Sequence, residues 1–494
     1  MRHLNSKKPS YNFIFALLSA IVLCSCGHKQ KYESVEDEIS AIENSLTNPV
    51  IVKGENPELF SIEDRMKLHN IPGVSIAVVK DGKLHWTKAY GIANTETDTF
   101  VDSATLFQAG SISKPIAALG ALKLVQEGKV DLDTDVNNYL KNWKVEENQF
   151  TEKEKVTLRR LLTHTAGMTV HGFPGYKPAD KFPSVIKVLE GKGNTPKIFV
   201  DTIPGSIWRY SGGGYTVMEK VVEDVSGQPL ETYLKENILM PLGMTNSTYS
   251  QPLPEKLHQQ ASAAYDRGGN LIEGLWHNYP EQAAAGLWTT PTDLSKYCME
   301  IQRIEAGKPN GILSKQTVDK MLTKHENNWG LGPSLADDGS SLRFQHGGKN
   351  AGFTNNMIAF AYKGNAVIVM TNADNGGKLM NEIITSISEH YDWDIAKQRT
   401  VETVSLNAEE LNKFNGRYKY LGKTRDGSDH IVKLVTKEGK LLIVDEKNAE
   451  EDLITPMSET SFIDLSDGDQ VVFTEKSDTL EFTFNNYYSY RRIE

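Results

Sequence analysis

Phe107-Gln108-Ala109-Gly110-Ser111-Ile112-Ser113-Lys114 joins a small polar turn to a helical pattern through Ile116, Leu119, Leu122, Leu124 and Val125, closed by Gly128. Residues three apart at a helix start share a face, which makes Ser111 and Lys114 neighbours. A serine hydroxyl is a weak nucleophile at neutral pH and needs a base within hydrogen-bond reach. Lys114 can be that base only when it is partly neutral. Burial and the positive end of the helix dipole both push a lysine pKa down. The pattern alone is cheap: Ser184-Val185-Ile186-Lys187 satisfies it too and reads as a solvated helix face. The rest of the chain has to separate the two.

Upstream, the spacing of Leu59, Phe60, Ile62, Met66 and Leu68 predicts an amphipathic helix within Pro57–Asn70. Val74–Val79 and Leu84–Tyr90, joined through Asp81-Gly82, predict a β-hairpin. Downstream, residues 133 to about 310 read as helices and loops. A helix at Val156–Thr163 leads into His164-Thr165-Ala166-Gly167-Met168, and His164 reads as a side chain tying loop backbone together. The loop around Tyr176 reads equally as cleft lining or packed surface. Tyr210-Ser211-Gly212-Gly213-Gly214-Tyr215 opens a helix ending at Gly227, and Thr292 or Asp293 is placed to cap another. Strands follow at Leu342–Gln345, Asn355–Tyr362 and Ala366–Asn372, then a helix over about Lys378–Tyr391. Strands at both ends of a helical middle predict an α+β domain whose sheet is completed from both ends of the chain. From about Leu406 the runs Ile431–Val435, Leu441–Val444, Val471–Phe473 and Leu480–Phe484 predict a separate small all-β domain, 406–494.

The chain has 494 residues, 39% hydrophobic and 24% charged, as in an ordinary globular protein of two or three domains. A net charge of −10, with acids spread along the chain, argues against nucleic acid as a partner. The 12 histidines are scattered without metal-ligand spacing, and no metal or cofactor is implied. Arg2, Lys7 and Lys8 precede the apolar run Phe13–Leu23, which has the length of a signal-peptide core rather than a membrane span. Leu23-Cys24-Ser25-Cys26-Gly27 resembles a bacterial lipobox, and that resemblance implies cleavage before Cys26 and lipid attachment to its thiol. Losing residues 1–25 removes those three positive charges and no acid, moving the net charge from −10 to −13. Residues 26–54 then read as a lipidated N-terminus and tether. Cys298 is left alone, a small buried apolar residue with no disulfide partner.

Four separated stretches, Ser111-Ile112-Ser113-Lys114, Leu161–Met168, Tyr210-Ser211-Gly212 and His346-Gly347-Gly348, occur in the order and approximate spacing of the serine β-lactamase-like superfamily. That group comprises class C β-lactamases, low-molecular-weight penicillin-binding proteins, D-aminopeptidases and related esterases, and the resemblance covers roughly residues 55–392. It implies a β-lactamase/transpeptidase-like domain over 55–395, an antiparallel sheet flanked by helices with a mostly helical subdomain. It further implies Ser111 as acylated nucleophile, Lys114 as its activating partner and Tyr210 as second member of the base pair. To act as a phenolate, Tyr210 would need cations nearby, Lys114 being one candidate. The backbone N–H groups of Ser111 and Lys349 would form the oxyanion hole. Substrate would lie against Gly212, His346, Gly348 and Lys349.

Two positions depart from the family pattern. Gly212 stands where many members have an Asn whose amide holds a substrate amide. His346-Gly347-Gly348 stands for Lys-Thr-Gly, and a histidine holds a carboxylate less firmly than a lysine. These changes favour an ester, amide or peptide over a β-lactam and leave acyl-enzyme chemistry intact. The expectation is a membrane-tethered, extracytoplasmic serine hydrolase, periplasmic or at the cell surface, with a small-molecule or peptide substrate. A catalytically silent protein binding cell-wall peptide or β-lactam is the alternative. An α/β-hydrolase would need a Gly-x-Ser-x-Gly elbow, which the chain lacks.

Overall fold

A computed structural model describes residues 32–422, 428–447, 451–476 and 479–494. The signal segment, the cleavage point and Cys26 lie outside the described residues.

The expected hairpin pairs β1 (Gly73–Lys80) with β2 (Lys83–Asn94), and Asp81 and Gly82 both take positive φ, as a tight two-residue turn requires. With β3 (Thr99–Phe100), β4 (Ser334–Ala336), β5 (Arg343–Asn350), β6 (Phe353–Phe360) and β7 (Ala366–Thr371), they form one seven-stranded sheet ordered β3-β2-β1-β7-β6-β5-β4. The N-terminal strands meet the C-terminal ones at the antiparallel β1–β7 pair, so the sheet is completed from both ends of the chain. Alternation sorts the two central strands between two cores. Ile76, Val78, Val367 and Val369 face a core shared with the helix Gly377–Tyr391. Ala77, Val79, Ile368 and Met370 face the core around the helix Ser113–Gln126. That second helix is apolar on nearly every side and buried from Ser113 to Leu122.

The tether expected over 26–54 is corrected where the structure begins to describe it. Val35–Glu43 is a helix with a Ser34/Asp37 capping box. Val35, Ile39 and Ile42 recur at helical spacing and pack on the helix Gly377–Tyr391, where the Ser386 hydroxyl donates to the Ile42 carbonyl at 2.9 Å. The helix expected within Pro57–Asn70 is the shorter Ile62–Leu68, capped by Ser61, and Leu59 is exposed. Pro291–Glu305 is capped by Thr290 rather than Thr292 or Asp293, with Pro291 in the first turn, where its missing N–H costs nothing.

The C-terminal domain is a closed eight-stranded barrel running from Gly416–Tyr420 to Tyr488–Arg492. Its interior is filled by side chains including Phe414, Tyr418, Phe462, Phe473, Phe482 and Tyr490. Four of its strands match the runs read from the sequence. The others, Gly416–Tyr420, Glu451–Pro456, Ser461–Ile463 and Tyr488–Arg492, carry no apolar run longer than two residues and do not stand out. A small cluster of Val50, Val401 and Ile463 joins the barrel to the parallel pair Val50–Val52 and Arg399–Val401.

The early helix Ile62–Leu68 is tied to the late helix Gly377–Tyr391 by a buried two-point ion pair between Arg65 and Glu382, with Nε to Oε2 at 2.7 Å. Removing one partner strands a buried charge, whereas replacing both with apolar groups does not. Arg65→Met should therefore lower unfolding free energy by about 3–5 kcal/mol in chemical denaturation, and Arg65→Met with Glu382→Leu should recover most of that loss. Additive losses in the double variant would show that the pair is not what couples the two helices.

Candidate active site

Ser111 lies in a tight turn, Gly110–Ile112, that runs directly into the helix Ser113–Gln126. The turn is pinned from within. The Ser113 hydroxyl donates to the Gly110 carbonyl at 2.6 Å and accepts from the Leu287 N–H at 3.0 Å. Lys114, one helical turn on, is 2% exposed. Its Nζ is 2.9 Å from Ser111 Oγ and 2.7 Å from the Ala284 carbonyl oxygen. Burial, with no acid to offset it, lowers the Lys114 pKa from 10.5 to about 7. The amine next to the serine is therefore substantially unprotonated at neutral pH.

Tyr210 precedes the helix Gly212–Ser226, whose N-cap Ser211 accepts from the Gly214 N–H at 2.9 Å and donates to the Thr169 carbonyl at 2.8 Å. His164, at φ 60°, accepts the Ser211 N–H on Nδ1 and lies against the Tyr210 ring at 4.2 Å between centroids. It ties loop backbone together, as its sequence suggested. Lys114 Nζ is 5.0 Å from the centre of the Tyr210 ring. Burial raises the Tyr210 pKa well above 10, and a hydrogen bond with Ser111 opposes that only in part. The phenolate expectation is thus corrected: Tyr210 stays a neutral hydroxyl.

Strand β5 forms the opposite wall. Its hairpin closes on Asn350 and Phe353, so Lys349 and Thr354 form a pair whose ladder bonds point outward. That turns the Lys349 N–H toward the Ser111 turn, where a Cβ on Gly110 would come within 2.5 Å of it. A Cβ on Gly348 would overlap the Ala109 carbonyl oxygen, so only glycine lets the strand pass this close. His346 is buried, with Nδ1 2.6 Å from the Gly347 carbonyl oxygen. That contact requires the proton on Nδ1 and leaves Nε2, buried and unpartnered, as an acceptor. Burial and the nearby Lys114 lower the His346 pKa to about 3, so this position is neutral rather than partly cationic.

Three residues that sequence reasoning passed over hold the two walls together. Asn355 Nδ2 donates to the Gln108 carbonyl at 2.8 Å. Asn350 Nδ2 donates to Gln108 Oε1 at 2.8 Å and to the Ala285 carbonyl at 3.1 Å. Polar residues at buried strand positions were the available signal. Ser111, Lys114, Tyr210, His346, Gly348 and Lys349 all line one cleft of about 1200 Å³, and Gly212 lies just behind its wall. Tyr176 is buried beneath the cleft loops, its hydroxyl accepting the Asn194 N–H at 2.8 Å. Ser184 and Lys187 sit on an exposed helix face, and Cys298 is fully buried and free.

The sequence profile described as Beta-lactamase matches residues 61–391. PbpX of Bacillus subtilis (strain 168), provisionally named as a penicillin-binding protein, is 25% identical over 394 residues, 76% of this chain and 93% of its own. Protein flp of Staphylococcus aureus (strain N315) is 23% identical over 367 residues, 72% of this chain and 69% of its own. The octameric penicillin-binding protein homologue from Pyrococcus abyssi shares the fold, with a TM-score of 0.59 at 23% identity over 87% of this chain and 98% of that one. SurE, crystallised with D-Leu, shares it with a TM-score of 0.54 at 20% identity over 87% and 97% of the two chains. The matched span, about two thirds of the sequence, makes this chain a member of the beta-lactamase family.

Proposed function

We propose that this protein is an extracytoplasmic serine hydrolase that cleaves an ester, amide or peptide through an acyl-enzyme, in preference to β-lactams. The observation that carries the reading is Lys114 Nζ, buried and 2.9 Å from Ser111 Oγ. A neutral amine there accepts the serine proton as Oγ bonds to the substrate carbonyl carbon. The oxygen that gains charge is met by the N–H groups of Ser111 and Lys349. Lys114 returns the proton, by way of the Tyr210 hydroxyl, to the leaving oxygen or nitrogen as its bond to carbon breaks. Water then adds to the acyl-enzyme by the same proton route, releasing the acid and restoring Ser111. The neutral His346 supplies no positive charge for a substrate carboxylate, which favours substrates uncharged beside the scissile bond.

A fluorophosphonate serine probe should label the protein, and Ser111→Ala should abolish labelling and turnover of p-nitrophenyl esters. A chromogenic cephalosporin should turn over more slowly than the ester. Equal labelling of Ser111→Ala would exclude Ser111 as nucleophile, and cephalosporin turnover above ester turnover would reverse the substrate preference. An unlabelled wild type that still binds peptide would point to a silent binding protein.

Export and anchoring through a lipid on Cys26 complete the proposal, resting on the lipobox-like Leu23–Gly27. In a bacterial host the full chain should fractionate with membranes and take up radiolabelled palmitate, and Cys26→Ala should take up none. Equal palmitate uptake by that variant, or none by the unaltered chain, would remove the lipid anchor from the account.

A further inference from the structure

Gly212 occupies the place where many family members carry an asparagine side chain, and that space is filled here by something else. A Cβ on Gly212 would lie 2.9 Å from Cε2 of Phe173 and 3.1 Å from the His171 carbonyl oxygen. The Phe173 ring therefore sits where a side chain at 212 would enter. It is held there by the loop before it. The Gly212 N–H donates to the His171 carbonyl at 3.0 Å and the Gly213 N–H to the Val170 carbonyl at 3.0 Å, while Ser211 donates to Thr169. The exchange at 212 is thus a replacement of an amide by an aromatic ring rather than a simple loss.

The ring belongs to a wider surface. Val170, Phe173, Pro174, Pro196, Phe199 and Met380 line the same cleft as Ser111 and Tyr210. Phe199 is 41% exposed, so the apolar wall continues to the mouth. The lysines along this cleft are engaged: Lys197 pairs with Glu146, and Lys349 Nζ bonds the Asp374 carbonyl at 2.8 Å and faces its carboxylate at 3.6 Å. Carbon-rich walls with committed cations suit hydrocarbon better than a charged or amide-bearing group.

We infer that Phe173, admitted by Gly212, forms an apolar subsite for a hydrocarbon chain or aromatic ring adjoining the scissile bond, making uncharged hydrophobic esters the substrate class. The inference rests on the reading of Ser111 as the nucleophile. Burying each methylene against such a wall should raise kcat/KM by roughly three- to fourfold until the subsite is full.

The test uses the mature protein with two ester series, one lengthening the acyl chain from acetate to octanoate and one lengthening the alcohol. The wild type should gain with length in one of them, and that series identifies the substituent the subsite takes. Phe173→Ala should cut the hexyl-to-ethyl ratio of kcat/KM in that series by at least about tenfold, and Phe173→Leu should keep part of it. Fluorophosphonate labelling of every variant reports an intact nucleophile independently of chain length. A labelled wild type with flat dependence in both series, or Phe173→Ala retaining the full ratio, overturns the subsite alone. A wild type that takes no label fails at Ser111 instead. If Phe173→Ala does not fold, the wild-type series still decides.

Discussion

One buried amine sets the terms for the rest of this molecule. Lys114 stands in the first turn of a helix that is packed on almost all sides, and an ammonium there would be taken out of water without a carboxylate to meet it. Burial resolves the conflict by lowering its pKa to about 7, so that the group readily gives up its proton near neutral pH. That outcome needs the helix to be central, so the sheet and the helical region must close around it. It also needs acceptors for the amine's remaining hydrogens, supplied by Ser111 Oγ and the Ala284 carbonyl. The arrangement that lowers the lysine pKa is thus the one that brings it to the serine.

The groups facing Lys114 follow the same logic. Tyr210 and Tyr215 keep their protons because burial raises both, and burial holds His164 and His346 neutral. A second cation in this space would compete with Lys114 for the same missing counter-charge. Histidine in place of lysine at 346 is consistent with a centre that is polar but uncharged. Phe173 over Gly212 extends that character outward along the cleft.

The Ser111 turn, the hairpin, the Tyr210 helix and the sheet built from both chain ends were legible because each follows from local chemistry. Asp81-Gly82 fixes a turn, Ser211 caps a helix, and Val74–Val79 is apolar on both faces because it is covered on both. What stayed hidden depends on partners remote in sequence. Gln108 gains meaning only when Asn350 and Asn355, more than two hundred positions away, arrive beside it. The helix Val35–Glu43 looks like a polar tether until the surface receiving Ile39 and Ile42 exists. Phe173 reads as one loop aromatic among several, and only three-dimensional closeness to Gly212 gives it a place in the site. The phenolate expectation failed for a similar reason: the burial that raises the Tyr210 pKa comes from segments remote in sequence.

The pH dependence of kcat/KM for an uncharged ester tests the central claim most directly. With burial bringing Lys114 to about 7, the rate should climb about tenfold per pH unit in acid and level off above about pH 7. Lys114→Arg, which holds its charge throughout, should remove that limb together with nearly all activity. A rate that keeps rising toward pH 10 would mean that the lysine is an ordinary ammonium and that something else activates Ser111.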